Sequence, residues 1–514
     1  MQVNPAFEED LENIKPVQEP KPQTIVTEPK EPPKSFFGHK VRWVVMLLGT
    51  LCLSAVMCNS LALNFTVICM YKEEDVSWNN TEPHQKTSLY DEIERSWLFA
   101  AVAIGQLIGT IPLAYLTPTL GMKLIFSIFG AISAISTLLL PASVPLGFFA
   151  VFIIRMLQGS ATATSFPAIG SIVAEWSTLK KSGTYIAWMS IHLQFAQVFT
   201  MPLGGVLCGS SWSWPSLYYI QGGLTAILFI LFWFVYTDSP EIHKSVSSKE
   251  LKTIKKNKVV QVVEVDKKLD IPYLEIMKDP AVIGIMLSNF GANIGLQFFF
   301  QYGPVYLNQV QGFDIRNTGV AAAFPYLIAI IVKFLVGPAS EAIEKVPWIS
   351  EKAVVIIFAS LSQYTMVVAF VLLAYLPRSQ QVFSQICYTI AIVASGLNAI
   401  GVFKSTQMIC GRFVPFILSV NMFIMSLCIL MIPFVVTGLA PNGTPSEWAT
   451  LFVATAILVA IVTTIFNFTA QVTPRKWAYK SNDPSTNGDA KKAENQKATQ
   501  GNGTQNSVNQ QNQV

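Results

Sequence analysis

The chain has 514 residues, 52% of them hydrophobic and 13% charged, with a formal net charge of +4. Soluble globular chains carry about 25% charged residues, so an ordinary water-soluble globule is excluded, and a charge this small gives no reason to expect a nucleic-acid partner. The mean hydropathy is +0.45, and the charge that is present gathers at the two ends and in one central stretch.

Residues 1–40 are polar and rich in Pro, Glu and Lys, and read as a disordered cytoplasmic tail. They contain no cleavable signal peptide, so the first span is expected to act as the insertion signal. A run of about 18 or more apolar residues can cross a hydrocarbon core of about 30 Å. The first six such runs lie near Trp43–Met70, Trp97–Leu116, Leu124–Leu140, Gly147–Trp176, Tyr185–Leu207 and Leu217–Tyr236, within an N-terminal half at 41–237. A hydrophilic linker at 238–278 follows, with Lys244, Lys249, Lys252, Lys255, Lys256, Lys258, Lys267 and Lys268. The second set, within 279–472, lies near Ala281–Leu307, Val320–Val336, Ala353–Tyr375, Val382–Phe403, Phe413–Leu439 and Trp448–Ala470. The tail at 473–514, rich in Asn, Gln and Lys, reads as disordered. About twelve spans, divided by a charged linker, have the layout of two helical halves.

Basic residues in short loops mark the cytoplasmic side. Lys123, Lys180, Lys181, Lys404, Arg412, Arg475 and Lys476 fall on the same side as the linker, whereas the one long loop opposite, 71–95, is acidic. That opposite side also carries glycosylation sequons at Asn79 and Asn442. An integral, multi-pass protein of the plasma membrane or a vesicle, with both termini cytoplasmic, is expected.

The fourth span carries Arg155, Leu157, Gln158 and Gly159, then Phe166, Pro167, Ala168 and Trp176. Pro202 and Gly204, Trp214 and Pro215, Tyr218, Tyr219, Gln221 and Gly222 follow. The second half offers Gly303, Pro304, Tyr306, Leu307, Gly312, Phe313, Asp314 and Phe324–Leu327. Over nearly all of 41–470 this set resembles the major facilitator superfamily, and within it the anion:cation symporter branch of phosphate, sialic-acid and vesicular glutamate carriers. The resemblance implies an all-α membrane protein with two six-helix halves around a central cavity. It also implies alternating access for a small anionic solute, inorganic phosphate or organic, coupled to Na⁺ or H⁺. The chain departs from glutamate-type relatives at their intramembrane charges. Asn59 and Ser60 stand near their first-span arginine, Phe99 near their second-span histidine, Thr162 at their fourth-span glutamate and Ala292 near their seventh-span arginine. The resemblance therefore leaves substrate and coupling ion open.

Ionisable side chains inside a span are costly unless paired or solvated, which makes each a candidate site residue. Arg155 lies near mid-membrane in the fourth span, and no Asp or Glu lies well inside any span. Arginine keeps its proton, so Arg155 is satisfied either by an anionic substrate or by helix carbonyls. His192 in the fifth span is a proton-relay candidate or a neutral hydrogen-bonded packing residue. Lys333 in the eighth is expected to reach towards cytoplasmic headgroups. In the seventh span Asn289, Asn293, Gln297 and Gln301 recur every fourth residue, a spacing that drifts only about 40° per step on a helix. This polar stripe either lines a substrate cavity or bonds neighbouring helices. Asn59 is a further substrate-binding candidate, with Asn64, Gln194, Gln197 and Asn421 as weaker ones.

Cys52, Cys58, Cys69, Cys208, Cys387, Cys410 and Cys428 lie in or at the ends of apolar runs without metal-ligand spacing. They read as small buried hydrophobes with no disulfide framework. No metal or cofactor is called for, and no nucleophile–base pairing suggests an enzyme. The partners expected are the anionic solute, Na⁺ or H⁺, and the lipid bilayer; the alternative is a non-transporting sensor or scaffold on a transporter fold. The orientation is checked by glycan mapping: Asn79 and Asn442 are the acceptors expected, and a glycan on the tail sequon at Asn502 would overturn the charge-based topology.

Overall fold

A helix satisfies its own backbone, which lipid cannot do, so long apolar runs of this kind cross a membrane as helices. The protein is described here by a computed structural model, which covers residues 40–71, 88–178, 182–255, 272–344 and 350–479. Most of both tails and the sequon at Asn79 lie outside the described residues. In chain order come α1 (Val41–Thr66), α2 (Glu92–Thr117), α3 (Thr119–Leu146), α4 (Phe148–Thr162), α5 (Ser165–Trp176), α6 (Thr184–Cys208) and α7 (Pro215–Val235). The linker contributes α8 (Ser248–Lys255). Then follow α9 (Pro280–Val310), α10 (Ile315–Leu335), α11 (Glu351–Tyr375), α12 (Gln381–Ser395), α13 (Lys404–Cys410), α14 (Val414–Leu439) and α15 (Pro445–Thr469).

Ten helices among the described residues are long and apolar enough to cross a membrane. The other two expected spans are interrupted. The fourth is α4 followed by α5, and the tenth is α12, a π-helical turn at Ala399–Phe403 and α13. At that turn the backbone presses on α11: a Cβ on Gly401 would lie 2.6 Å from the Ala359 nitrogen.

Carboxylates finish several helix starts, where free N–H groups and the helix dipole favour negative charge. Glu250 of α8 accepts from the Val41 and Arg42 N–H groups at 3.3 and 3.0 Å, so part of the linker folds back onto α1. Asp238 accepts from the Lys123 N–H at 2.8 Å, beside Gly121. Gly121, in the first turn of α3, kinks the chain at φ +78°, where a Cβ would lie 2.5 Å from the Asp238 carboxylate. Asp279 accepts from the Ala281 N–H at the start of α9, and from Arg475 Nε at 2.6 Å and Trp477 Nε1 at 2.9 Å. Here the segment after α15 is latched to the start of α9.

Cys69 and Cys208 form a disulfide, their Cα atoms 6.0 Å apart. This corrects the expectation of buried, unpaired cysteines. Each residue sits at the same end of its helix, just past α1 and at the close of α6, and helix packing brings the two ends together. The bundle thus has a disulfide end and a linker end. From Cys58 to Met70 and from Phe298 to Leu307 every residue is buried, whereas towards the linker end α1 and α9 both expose side chains. The closed region is packed with aromatics, including Phe298, Phe299, Tyr302, Tyr306, Phe370 and Phe452.

Burial raises the pKa of Asp279, but its hydrogen bonds from Arg475, Trp477 and Ala281 prevail and hold it below the usual carboxylate range. A depressed folded-state pKa gives stability that is present above the ordinary aspartate pKa and lost as pH falls through the depressed value. Asp279→Asn should therefore melt lower than wild type at pH 7, with the difference shrinking once pH drops below about 4. A pH-independent difference would show that the carboxylate charge is not what holds the latch.

Candidate functional site

Arg155 is only 1% exposed. Its Nη1 donates to the Ser60 carbonyl of α1 at 2.7 Å and to Gln158 at 3.0 Å, and its Nε donates to the Leu98 carbonyl of α2 at 3.3 Å. Gln158 in turn donates to Thr137 of α3 at 3.0 Å. Of the two arrangements open to this residue, the geometry is the one in which helix carbonyls hold the guanidinium. Asn59, expected at a substrate surface, is instead fully buried; it donates to Ser133 of α3 at 2.9 Å and Thr225 of α7 at 3.0 Å. It faces the packing between helices because those two hydroxyls supply its acceptors there.

The polar stripe of α9 grades along its length. Asn289, Asn293 and Gln297 are half-buried, while Gln301, one turn further on, is 4% exposed. Asn293 donates to the Asn289 carbonyl of its own helix at 2.8 Å, and the Gln297 amide has no hydrogen bond to any described residue. Gln301 reaches across to α14, donating to the Ile429 carbonyl at 3.2 Å. Of the two roles posed for the stripe, interhelical contact is seen at Gln301.

Two prolines explain the contacts at the closed end. Proline has no N–H, so the carbonyl four residues before it loses its helical donor. In α9 Pro304 frees the Phe300 carbonyl, which Asn64 of α1 fills from 3.2 Å. In α14 Pro433 frees the Ile429 carbonyl, which is the one that Gln301 fills. Ser96 of α2 donates to the Pro433 carbonyl at 3.2 Å and shares a hydrogen bond with Thr437. Asn64 and Ser96 belong to helices before the linker, their acceptors to helices after it. These bonds close the disulfide end.

Helices α6 and α10 form a second seam. At the disulfide end they touch through glycine: a Cβ on Gly319 would lie 2.5 Å from the Met201 carbonyl. Nearer the linker end, Lys333 of α10 donates to Ser190 Oγ at 2.6 Å. It therefore points across the seam, which corrects the expectation that it reaches for headgroups. His192 is fully buried, with Nδ1 2.9 Å from the Met189 carbonyl and Nε2 without a partner among the described residues. Asn442 is exposed, its amide donating to Glu447 at 2.8 Å.

The sequence profile of the Major Facilitator Superfamily matches residues 50–408. The chain belongs to that superfamily. It is 23% identical over 465 residues to vesicular glutamate transporter 3 of Danio rerio, covering 88% of this chain and 76% of the relative. It is 24% identical over 315 residues to sodium-dependent phosphate transport protein 1 of Mus musculus, covering 58% and 66%. Among solved structures it is similar in fold to a bacterial homologue of the human lysosomal transporter Spinster, with TM-score 0.61, 14% identity and coverage of 84% and 97%.

Major facilitator proteins place substrate between two helical halves near the bilayer midplane and rock those halves about it. In this chain the half-buried Asn289, Asn293 and Gln297 lie on the linker side of the proline-centred bonds, which sit towards the disulfide end. From sequence Asn64 was only a weaker candidate, Lys333 was expected to reach headgroups, and Ser96 was not singled out. The available signal was a proline four residues after each capped carbonyl, but nothing along the chain says which amide will face it.

The Asn64 contact predicts a cycle of variants. Asn64→Leu leaves the Phe300 carbonyl without a donor, at about 1–3 kcal/mol for an unmet buried group. A single reporter cysteine at Leu61, in a background free of other reactive thiols, should then label faster from the disulfide end. Pro304→Ala restores an N–H for that carbonyl and should largely cancel the effect. Equal labelling in all variants would refute a gating role.

Proposed function

We propose that this major facilitator protein is a secondary transporter of a small anionic solute, working by alternating access, with the present state open towards the linker end. The observation that carries the reading is the sign of the interior charge. Among the described residues, Arg155 and His192 lie well inside the spans and Lys333 near the linker-side end of α10, and all three are basic. Carboxylates gather at helix starts instead, at Asp238, Glu250, Asp279 and Glu447. An interior with fixed positive charge and no compensating acid attracts anions. Arg155 contributes through its field while holding α1, α2 and α4 together, and Asn289, Asn293 and Gln297 offer neutral hydrogen bonds along the cavity wall. The names of the relatives, glutamate and phosphate carriers, agree with an anion, and the sodium-dependent one motivates a cation gradient as driving force. His192 is the proton-coupling candidate.

We place the linker end in the cytoplasm. Lys123, Lys404 and Arg475 lie there, in keeping with basic residues on the cytoplasmic side. The Cys69–Cys208 disulfide at the other end fits an oxidising lumen or exterior.

Uptake into proteoliposomes of phosphate, glutamate, sialate, urate and nucleotide, with Na⁺ and H⁺ gradients varied, tests the reading. Saturable, gradient-dependent uptake of at least one anion is expected. No flux across the panel from well-folded protein would point to a sensor or scaffold. Arg155→Lys and Arg155→Gln separate field from contact. Loss of helix-carbonyl bonds should lower the melting temperature of both, more for Gln, since hydrogen bonds to charged groups are each worth about 1.5–3 kcal/mol. A stable Gln variant with a selectively raised KM would instead assign Arg155 a direct substrate contact.

A further inference from the structure

The closed end encloses a cation that no bond between helices accounts for. Arg95 sits in the first turn of α2 and is 5% exposed. Its Nη2 donates to Glu92, one turn earlier on the same helix, and its Nε is buried without a partner among the described residues. An ion pair confined to one helix fastens nothing to the rest of the bundle. Enclosing an arginine is costly, so its burial needs another reason.

The burial comes from the other half of the protein. Residues 92, 95, 96 and 99 share one face of α2, and that face meets helices from beyond the linker. Ser96 donates to the Pro433 carbonyl of α14, and Phe99 packs edge-on against Tyr302 of α9 with ring centroids 5.1 Å apart. The adjacent Trp97 packs edge-on against Phe434 of α14 at 4.9 Å. The charges of Arg95 and Glu92 both reach the Tyr302 hydroxyl, which has no hydrogen-bond partner among the described residues. Arg95 is therefore covered because the disulfide end is shut. Parting α2 from α9 and α14 would set its guanidinium in the wall of a cavity open to that end.

The carboxylate on it is placed differently. The Glu92 side chain is 38% exposed, and the other acids of that turn, Asp91 and Glu94, are engaged in the capping box that starts α2. Glu92 meets one guanidinium nitrogen and leaves Nε unmet, whereas the arginine fork can take a carboxylate or phosphate through two parallel bonds.

We propose that Arg95 is the contact that takes the transported anion, a carboxylate or phosphate, from the disulfide side, and that Glu92 stands in for that anion while this end is closed. The inference rests on the anion-transport reading above and gives it a direct contact that Arg155, committed to helix carbonyls, does not supply. When the end opens, the anion displaces the Glu92 carboxylate by using Nε and Nη2 together. When it shuts behind the departing anion, Glu92 returns, so the guanidinium is not enclosed with its charge unpaired.

The test uses full-length protein in proteoliposomes of known orientation, with radiolabelled phosphate, glutamate and N-acetylneuraminate offered at either end. For whichever anion wild type carries, Arg95→Gln should raise KM for entry at the disulfide end at least about tenfold, as loss of a charge-assisted bond implies. KM for entry at the linker end should stay close to wild type. Arg95→Lys should recover part of the lost affinity, since it keeps the charge without the fork. Glu92→Gln removes the competing carboxylate and should lower KM at the disulfide end. An unchanged KM in Arg95→Gln, or one raised equally at both ends, overturns the site while leaving anion transport intact. A raised KM in Glu92→Gln overturns it too, because the pair then acts as one structural unit. Should Arg95→Gln fail to fold, Glu92→Gln and Arg95→Lys decide the matter by the same signs. If wild type carries none of the three anions, the site fails together with the transport reading for them, and that result is read on wild type alone.

Discussion

A backbone carbonyl inside a bilayer can be satisfied only by the protein, because no water reaches it. Pro304 and Pro433 each remove a helical donor, and the replacements come from other helices: Asn64 on α1 for Phe300, Gln301 on α9 for Ile429. The closed disulfide end therefore rests on bonds that helix formation alone would not have required. In a soluble protein water would answer a freed carbonyl, and the proline would only bend its helix. Here it commits one helix to another. Since about 1.4 kcal/mol shifts an equilibrium tenfold, one or two such bonds suffice to bias a carrier between states that must remain close in energy.

The charges follow a second division of labour. Acidic side chains sit at helix starts, where exposed N–H groups accept them: Glu250 at α1, Asp279 at α9, Glu447 at α15. Placed there they stabilise the ends of the bundle and leave the interior without negative charge. The basic residues inside divide by their surroundings. Arg155 has helix carbonyls and an amide around its fork, which suits a cation whose position is structural. Lys333 has a single hydroxyl partner and lies on a seam between the two sets of helices.

Membrane class, the approximate number and order of spans, and the polar stripe on the seventh span were legible in the sequence. Each depends on a repeat along one chain: length without charge, or a spacing of four on a helix of 3.6 residues per turn. Even the short-range features followed rules of this kind, with Thr444 and Glu447 making the capping box at the start of α15. Two spans proved interrupted, because a break in a helix depends on how closely a neighbour such as Ala359 approaches Gly401.

Distance across the bundle was not legible. Cys69 and Cys208 are 139 residues apart in sequence, and only the packing of α1 against α6 makes them a pair. The same is true of Asn64 with Phe300 and Lys333 with Ser190, separated by 236 and 143 residues. Sequence by itself determined that the chain is a bundle of membrane helices and which residues in it are too polar for lipid, because hydrophobicity and helical period are properties of each segment. Tertiary structure alone decided which polar groups answer one another. A donor in the membrane takes the nearest acceptor, and which one is nearest is set only when the helices pack.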